Sequence, residues 1–239
     1  DDAQLRMLEE RLRYLREMEK RRAAIISSIE DQDKMTDELR TSILTADNKA
    51  RLEDLYLPYK PKRRTKAMIA REAGLEPLAH DLLANPELNP ETEALRYLRT
   101  EVEDDTAIAD ATAALEGARQ ILVEQFAEDA QLVGSLRDYV WENAKLVSRV
   151  IEGKEADGAK FKDYFDYAEP INKVPSHRAL AVFRGRKEEV LRVSIAVGDP
   201  DTPPRPHPCE IQIANQFEIS DQGRPADGWL LKVAGWAWR

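Results

Sequence analysis

The chain has 239 residues, a net charge of −9 and a single cysteine, so it has room for one large or two small domains and excludes an intrachain disulfide. Charged residues make up 34% and aromatic residues 7%, a balance that favours long helices with solvated faces over a β-rich body. No run of about eighteen apolar residues offers a membrane span, the opening residues lack a signal-peptide layout, and the lone Cys209 fits a cytoplasmic setting.

Leu5, Leu8, Leu12 and Leu15 recur at three-four spacing, and Ile25, Ile26 and Ile29 continue the stripe. This predicts one amphipathic helix of about 29 residues, roughly 43 Å long, acting as a strut against a bundle or as a coiled-coil seam. Thr36, followed by Asp37 and Glu38, is a cap for a short helix ending near Ala46. Asp47 or Asn48 caps the next, whose inner face is Leu52, Leu55 and Tyr56, and Pro58 and Pro61 end it. From residue 65 to 84 the spacing of Ala70 and Gly74, with Leu75, Leu78, Leu82 and Leu83 after the turn, predicts a helix-turn-helix-like unit.

Asn85-Pro86 and Asn89-Pro90 mark loops, and Glu91 to Leu98 reads as a short helix. An alanine-rich helix is expected from Thr106 to Phe126 and another from about Asp129 to Asn143. From Val147 the texture changes: Gly153 and Gly158 bracket a charged loop, and Ser176 is a cap for a helix to Glu188. The alternation of Leu191, Val193, Ile195 and Val197 is the best strand candidate. The proline-rich stretch Asp199 to Pro208 is a loop or linker, and two helices, about Glu210 to Phe217 and Pro225 to Trp238, close the chain.

The most informative segment runs from Leu55 to Leu78. Lys60, Lys62, Arg63, Arg64, Lys66 and Arg71 stand within it with no acid among them, on an acidic background. Clustered cations release counterions when they meet phosphate, and Tyr56 and Tyr59 beside them offer rings for stacking on exposed bases. The same cations have a second use, which is to pair with neighbouring acidic helices and tie the loop down. Sequence-specific reading of duplex DNA does not suit the second helix of the 65–84 unit, whose polar residues include the acids Glu76 and Asp81 and whose start carries Pro77.

Catalytic signals are weak. His80, His177 and His207 lack metal-ligand spacing, and the pair Ser176–His177 is no triad, because triad partners meet through the fold. Neither phosphate-binding glycine motif occurs, and Gly185 stands alone within a small basic patch, Arg184, Arg186 and Lys187. Asp104 and Asp105 are either a divalent-ion site or a cap at Thr106, and Trp229, Trp236 and Trp238 are expected to pack rather than face water.

The string L-Y-L-P-Y-K-P-K-R-R-T-K from Leu55 and I-A-R-E-A-G-L-E-P-L-A from Ile69 resemble the Tex-like family of bacterial transcription accessory proteins. So do E-G-A-R-Q-I-L from Glu116, E-G-K-E from Glu152, K-F-K-D-Y-F-D-Y from Lys160 and V-P-S-H-R-A-L-A from Val174. The resemblance covers nearly the whole chain. It implies an excised segment of a longer protein that continues into RNase H-like, helix-hairpin-helix and OB-fold RNA-binding domains.

The expected fold is mainly α: a helical bundle over 1–146 braced by the long N-terminal helix, then a smaller mixed, mostly helical segment over 147–239 with one short strand. The expected function is a non-enzymatic scaffold that assists nucleic-acid binding in transcription. Its contact would be weak, sequence-independent and made to RNA or DNA by Lys60, Lys62, Arg63, Arg64, Lys66 and Arg71, with no cofactor, metal or membrane. The resemblance adds the transcription machinery and intramolecular contact with the downstream domains as partners. The alternative is a module that docks on RNA polymerase or another protein without touching nucleic acid; a hydrolase ranks third.

Overall fold

The computed structural model describes residues 2–61 and 63–239. Its fold is mainly α with one small antiparallel sheet, and it divides into two compact units, Asp1–Gly134 with Gly223–Leu230, and Ser135–Gln222 with Leu231–Arg239.

In the first unit, the long helix α1 (Asp2–Glu30) forms over the expected 29 residues. It reaches a core from Tyr14 onward: Tyr14 packs against the cluster half-buried, and Met18, Ile25 and Ile29 are buried with Ile43, Leu52, Leu55 and Tyr56. Those partners come from α2 (Asp37–Thr45) and α3 (Lys49–Tyr56), capped by Thr36 and Asn48, whose side chains accept from Leu39 N and Arg51 N. Arg22 fixes the strut by donating to carbonyls that a helix end leaves unpaired. Its guanidinium is buried and donates to Ile43 O at 3.0 Å and Ala46 O at 2.8 Å, where α2 ends. Beside it Arg21 donates to both Glu53 oxygens, at 2.6 and 2.9 Å, tying α1 to α3.

After a 3-10 turn at Leu57–Tyr59 come α4 (Lys66–Glu72), α5 (Glu76–Ala84) and α6 (Pro90–Ala94). All three pack on α7 (Ala111–Ala127), whose Ala114, Ala118, Ile121, Leu122 and Phe126 are buried. Small residues make this crossing close: a Cβ at Gly117 would lie 2.3 Å from Leu75 Cδ1 and 3.3 Å from Ala70 Cβ. Helix α7 begins later than its alanine content suggests, because Asp110 accepts from Ala113 N and Thr106 sits in the preceding turn. Helix α8 (Ala130–Asn143) follows.

The second unit holds three strands where the alternation signals one. They are β1 (Ala144–Val150), β2 (Asp166–Pro170) and β3 (Leu191–Val197), in the order β2-β1-β3 with both pairings antiparallel. Strand β1 is central and buried on both faces over Leu146, Val147 and Ser148, so it shows no period-two pattern. Strand β2 lies at an edge, where its Glu169 and Pro170 are tolerated. Helix α9 (Ser176–Lys187) packs on β3, and Gly185 permits the contact: a Cβ there would meet Leu191 Cδ1 at 2.5 Å and Phe161 at 3.3 Å. Ser176 is the first residue of α9 and makes no capping hydrogen bond; Pro175 occupies the cap position. The chain ends with α10 (Pro208–Gln216) and α11 (Asp227–Trp238), and Trp238 stacks on His207 with ring centroids 4.8 Å apart. No helix among the described residues is long and apolar enough to cross a membrane.

Candidate functional site

The basic segment begins where α3 stops. Pro58 opens the 3-10 turn, and Gln32 Nε2 pins it by donating to Tyr59 O at 2.9 Å and Ser28 O at 2.8 Å. On the far side the hydroxyl oxygen of Thr65 accepts from Met68 N to cap α4 and donates to Glu124 Oε2 at 2.9 Å. Between these two anchors Lys60, Pro61, Arg63 and Arg64 are exposed.

The cations of this stretch fall into two groups. Arg64 is held between two acids: it donates to Asp105 Oδ2 at 2.5 Å and Oδ1 at 3.0 Å, and also to Glu72. Those hydrogen bonds, from Glu72 foremost and then Asp105, push its pKa above the ordinary arginine value. Arg71 pairs with Glu124 at 2.6 Å and with Glu76 at 3.4 Å. By contrast Lys60, Arg63 and Lys66 are exposed and form no ion pair among the described residues. Lys62 lies outside the described residues.

The two tyrosines also part company. Tyr56 is 7% exposed, its hydroxyl lies 3.0 Å from Ser28 Oγ, and the Arg21 guanidinium sits 5.2 Å from its ring centre. A ring so enclosed has no face for a base, which removes Tyr56 from the stacking candidates. Tyr59 is half-buried and lines a shallow concavity of about 390 Å³ with Pro58, Lys60, Met68 and Lys34. The fold thus brings Lys34, exposed in the turn after α1, to the basic segment. Nothing local in the sequence signals that meeting, since it depends on how α1 packs against α3.

In the neighbouring α4–turn–α5 unit, Gly74 takes φ +80°, as the spacing requires, while Leu78, Ala79 and Leu82 are buried. The start of α5 offers Pro77 and Glu76, the latter turned to Arg71. In the acidic loop, Asp105 serves Arg64, and Asp104 Oδ1 accepts from both Thr106 N and Thr106 Oγ1, at 2.7 and 2.5 Å. These two bonds lower the Asp104 pKa and close a local turn, so the loop is a clamp and a turn rather than a helix cap. Among the described residues no group of three or more His, Cys, Asp or Glu could hold a metal ion. Cys209 is buried, which raises its thiol pKa to about 11.

A family model described as Tex central region-like matches residues 85–239. Over its full length the chain is similar to Protein YhgF of Escherichia coli strain K12, 54% identical over 241 residues, and spans 30% of that relative. It is 52% identical over 240 residues to Transcriptional accessory protein Tex of Neisseria gonorrhoeae, again covering all of this chain and 30% of the relative. A more distant likeness, 29% over 208 residues, joins 83% of this chain to 20% of human S1 RNA-binding domain-containing protein 1. The chain therefore spans less than a third of the curated relatives it matches, and the basic segment precedes the residues that the family model covers.

Proposed function

Because the chain belongs to the Tex central region-like family, we propose that it is a non-enzymatic scaffold segment of a transcription accessory protein and assists that protein in holding nucleic acid. The observation that carries this reading is the trio Lys60, Arg63 and Lys66, exposed and without ion pairs among the described residues, on a chain of net charge −9. Local cations that are not neutralised by the protein's own acids remain available to an outside polyanion. Lys34 adds a further cation to the concavity, which Glu124 and Glu128 also line, and Tyr59 presents a partly open ring beside Lys60. The contact is weak and independent of sequence, because two of the exposed polar residues of α5, Glu76 and Asp81, are acids that phosphate repels, and Glu76 already faces Arg71.

Two relatives support the assignment to transcription and RNA through their names, Transcriptional accessory protein Tex and S1 RNA-binding domain-containing protein 1. Fluorescence anisotropy with a labelled single-stranded RNA and a DNA of the same sequence tests the reading. We expect saturable binding at low salt that is lost in the Lys60→Ala, Arg63→Ala, Lys66→Ala triple variant. No affinity for either polymer at low salt overturns it.

A further inference from the structure

One face of the sheet in the second unit is only half covered. The cross-strand partners Val150–Leu191, Ser148–Val193 and Leu146–Ile195 share a face, because residues directly opposite in an antiparallel pair point the same way. At one end of that face Leu191 is sealed beneath Gly185 of α9 and against Phe161. At the other end the covering stops: Ile195 is 57% exposed, and on α9 Phe183 is 49% and Leu180 71% exposed. A groove of about 510 Å³ lies between the uncovered strand residues and α9, lined by Leu146, Val193, Ile195, Val174, Phe183 and one cation, Arg186. Its size is in the range of sites that take large side chains.

The charge around this groove is one-sided. No carboxylate lines it, and Arg186 has no ion pair among the described residues. Lys187 at the end of α9 is likewise exposed and without an ion pair among the described residues. Strand β3 is the outer strand of the sheet, paired on one side by β1. Its other edge presents backbone donors and acceptors to an extended chain. An apolar floor with a forked cationic donor at its rim suits large apolar side chains next to a carboxylate, which a guanidinium grips with two parallel hydrogen bonds. Phosphate backbones are poorly served, since the lining is mostly apolar and carries one cation, Arg186.

We propose that this groove docks a short peptide segment of a separate protein, one that places two large apolar side chains beside an aspartate or glutamate. This surface is distinct from the basic segment after α3 and is independent of the nucleic-acid reading.

The test selects a library of random twelve-residue peptides, displayed on phage, against the 239-residue chain. Enriched peptides are then synthesised with a fluorophore and titrated. We expect enrichment of peptides with two large apolar residues within four positions of an acid, and a loss of about tenfold or more in affinity on Phe183→Asp. Changing the peptide's acid to its amide should weaken binding to the parent chain and leave binding to Arg186→Gln unchanged. Ile195→Asp, on the strand side, serves if Phe183→Asp does not give a native thermal transition. The proposal fails if no such peptides are enriched, if their binding ignores both Phe183→Asp and Ile195→Asp, or if the peptide acid and Arg186 act independently. It also fails if sedimentation shows the chain self-associating through Phe183, which would make a second copy the occupant.

Discussion

Separating Lys60, Arg63 and Lys66 from Arg64 makes a quantitative demand on salt dependence. Each cation that meets a single-stranded phosphate releases a fraction of a counterion, so log affinity should fall with log salt at a slope of about −0.7 per contact. Three exposed cations without ion pairs among the described residues give a slope of about −2, and a contribution from Lys34 brings it to about −3. Between about 50 and 200 mM salt that amounts to a loss of roughly 20- to 50-fold in affinity. Anisotropy titrations with a labelled single-stranded RNA across that range measure it directly. Each single alanine variant of Lys60, Arg63 or Lys66 should lower the slope by about 0.7. Arg64→Ala should change it by less, because Glu72 and Asp105 already neutralise that charge. A slope that survives the triple alanine variant, or that falls as far with Arg64→Ala as with Lys60→Ala, refutes the division of the cluster.

Three further outcomes follow from the first unit. Arg71→Ala removes a 2.6 Å partner from Glu124, a carboxylate only 15% exposed, and should cost about 1–2 kcal/mol in urea unfolding, between the values for surface and buried pairs. Gly74→Ala meets no atom within 4 Å, yet φ +80° should make it cost about 1 kcal/mol by the same measurement. Hydrogen bonds from Arg21, with lesser help from the Lys60 charge, hold the Glu53 carboxyl below its ordinary 4.5. A depressed folded-state pKa contributes stability above the unfolded value and loses it as pH falls through the folded one. The urea midpoint of Glu53→Gln should therefore lie furthest below the parent's near pH 7, and the gap should close as pH drops below about 4.5.

What could be read in advance was what local chemistry decides. The extent of α1, the cap Thr36, a cap at Asp47 or Asn48 (the structure uses Asn48), and the glycine turn at Gly74 depend on neighbours a few residues away. The strands β1 and β2 could not be read, because a central strand buried on both faces lacks alternation and an edge strand tolerates Glu169 and Pro170. The start of α7 was hidden by alanines that favour helix even before Asp110 provides its cap. In the candidate site, the excess of positive charge is visible in the sequence, but its allocation is not. Arg64 meets an aspartate 41 positions away and Arg71 a glutamate 53 away, so only the packed helices reveal which charges are spent. Tyr56 and Tyr59 look alike in the sequence and differ because α1 passes over one of them.

Helix α1 is a single element with two very different supports. Leu5, Leu8, Leu12 and Leu15 are between 69% and 42% exposed, whereas Met18, Ile25 and Ile29 are almost wholly enclosed. A helical stretch of about fifteen residues held by its own backbone is only marginally stable in water. Amide hydrogen exchange should accordingly split the rod near Leu15, with rapid labelling ahead of that point and slow labelling from Met18 onward. On that expectation the bare half would melt and re-form on its own schedule, while the anchored half would open only with the surrounding core.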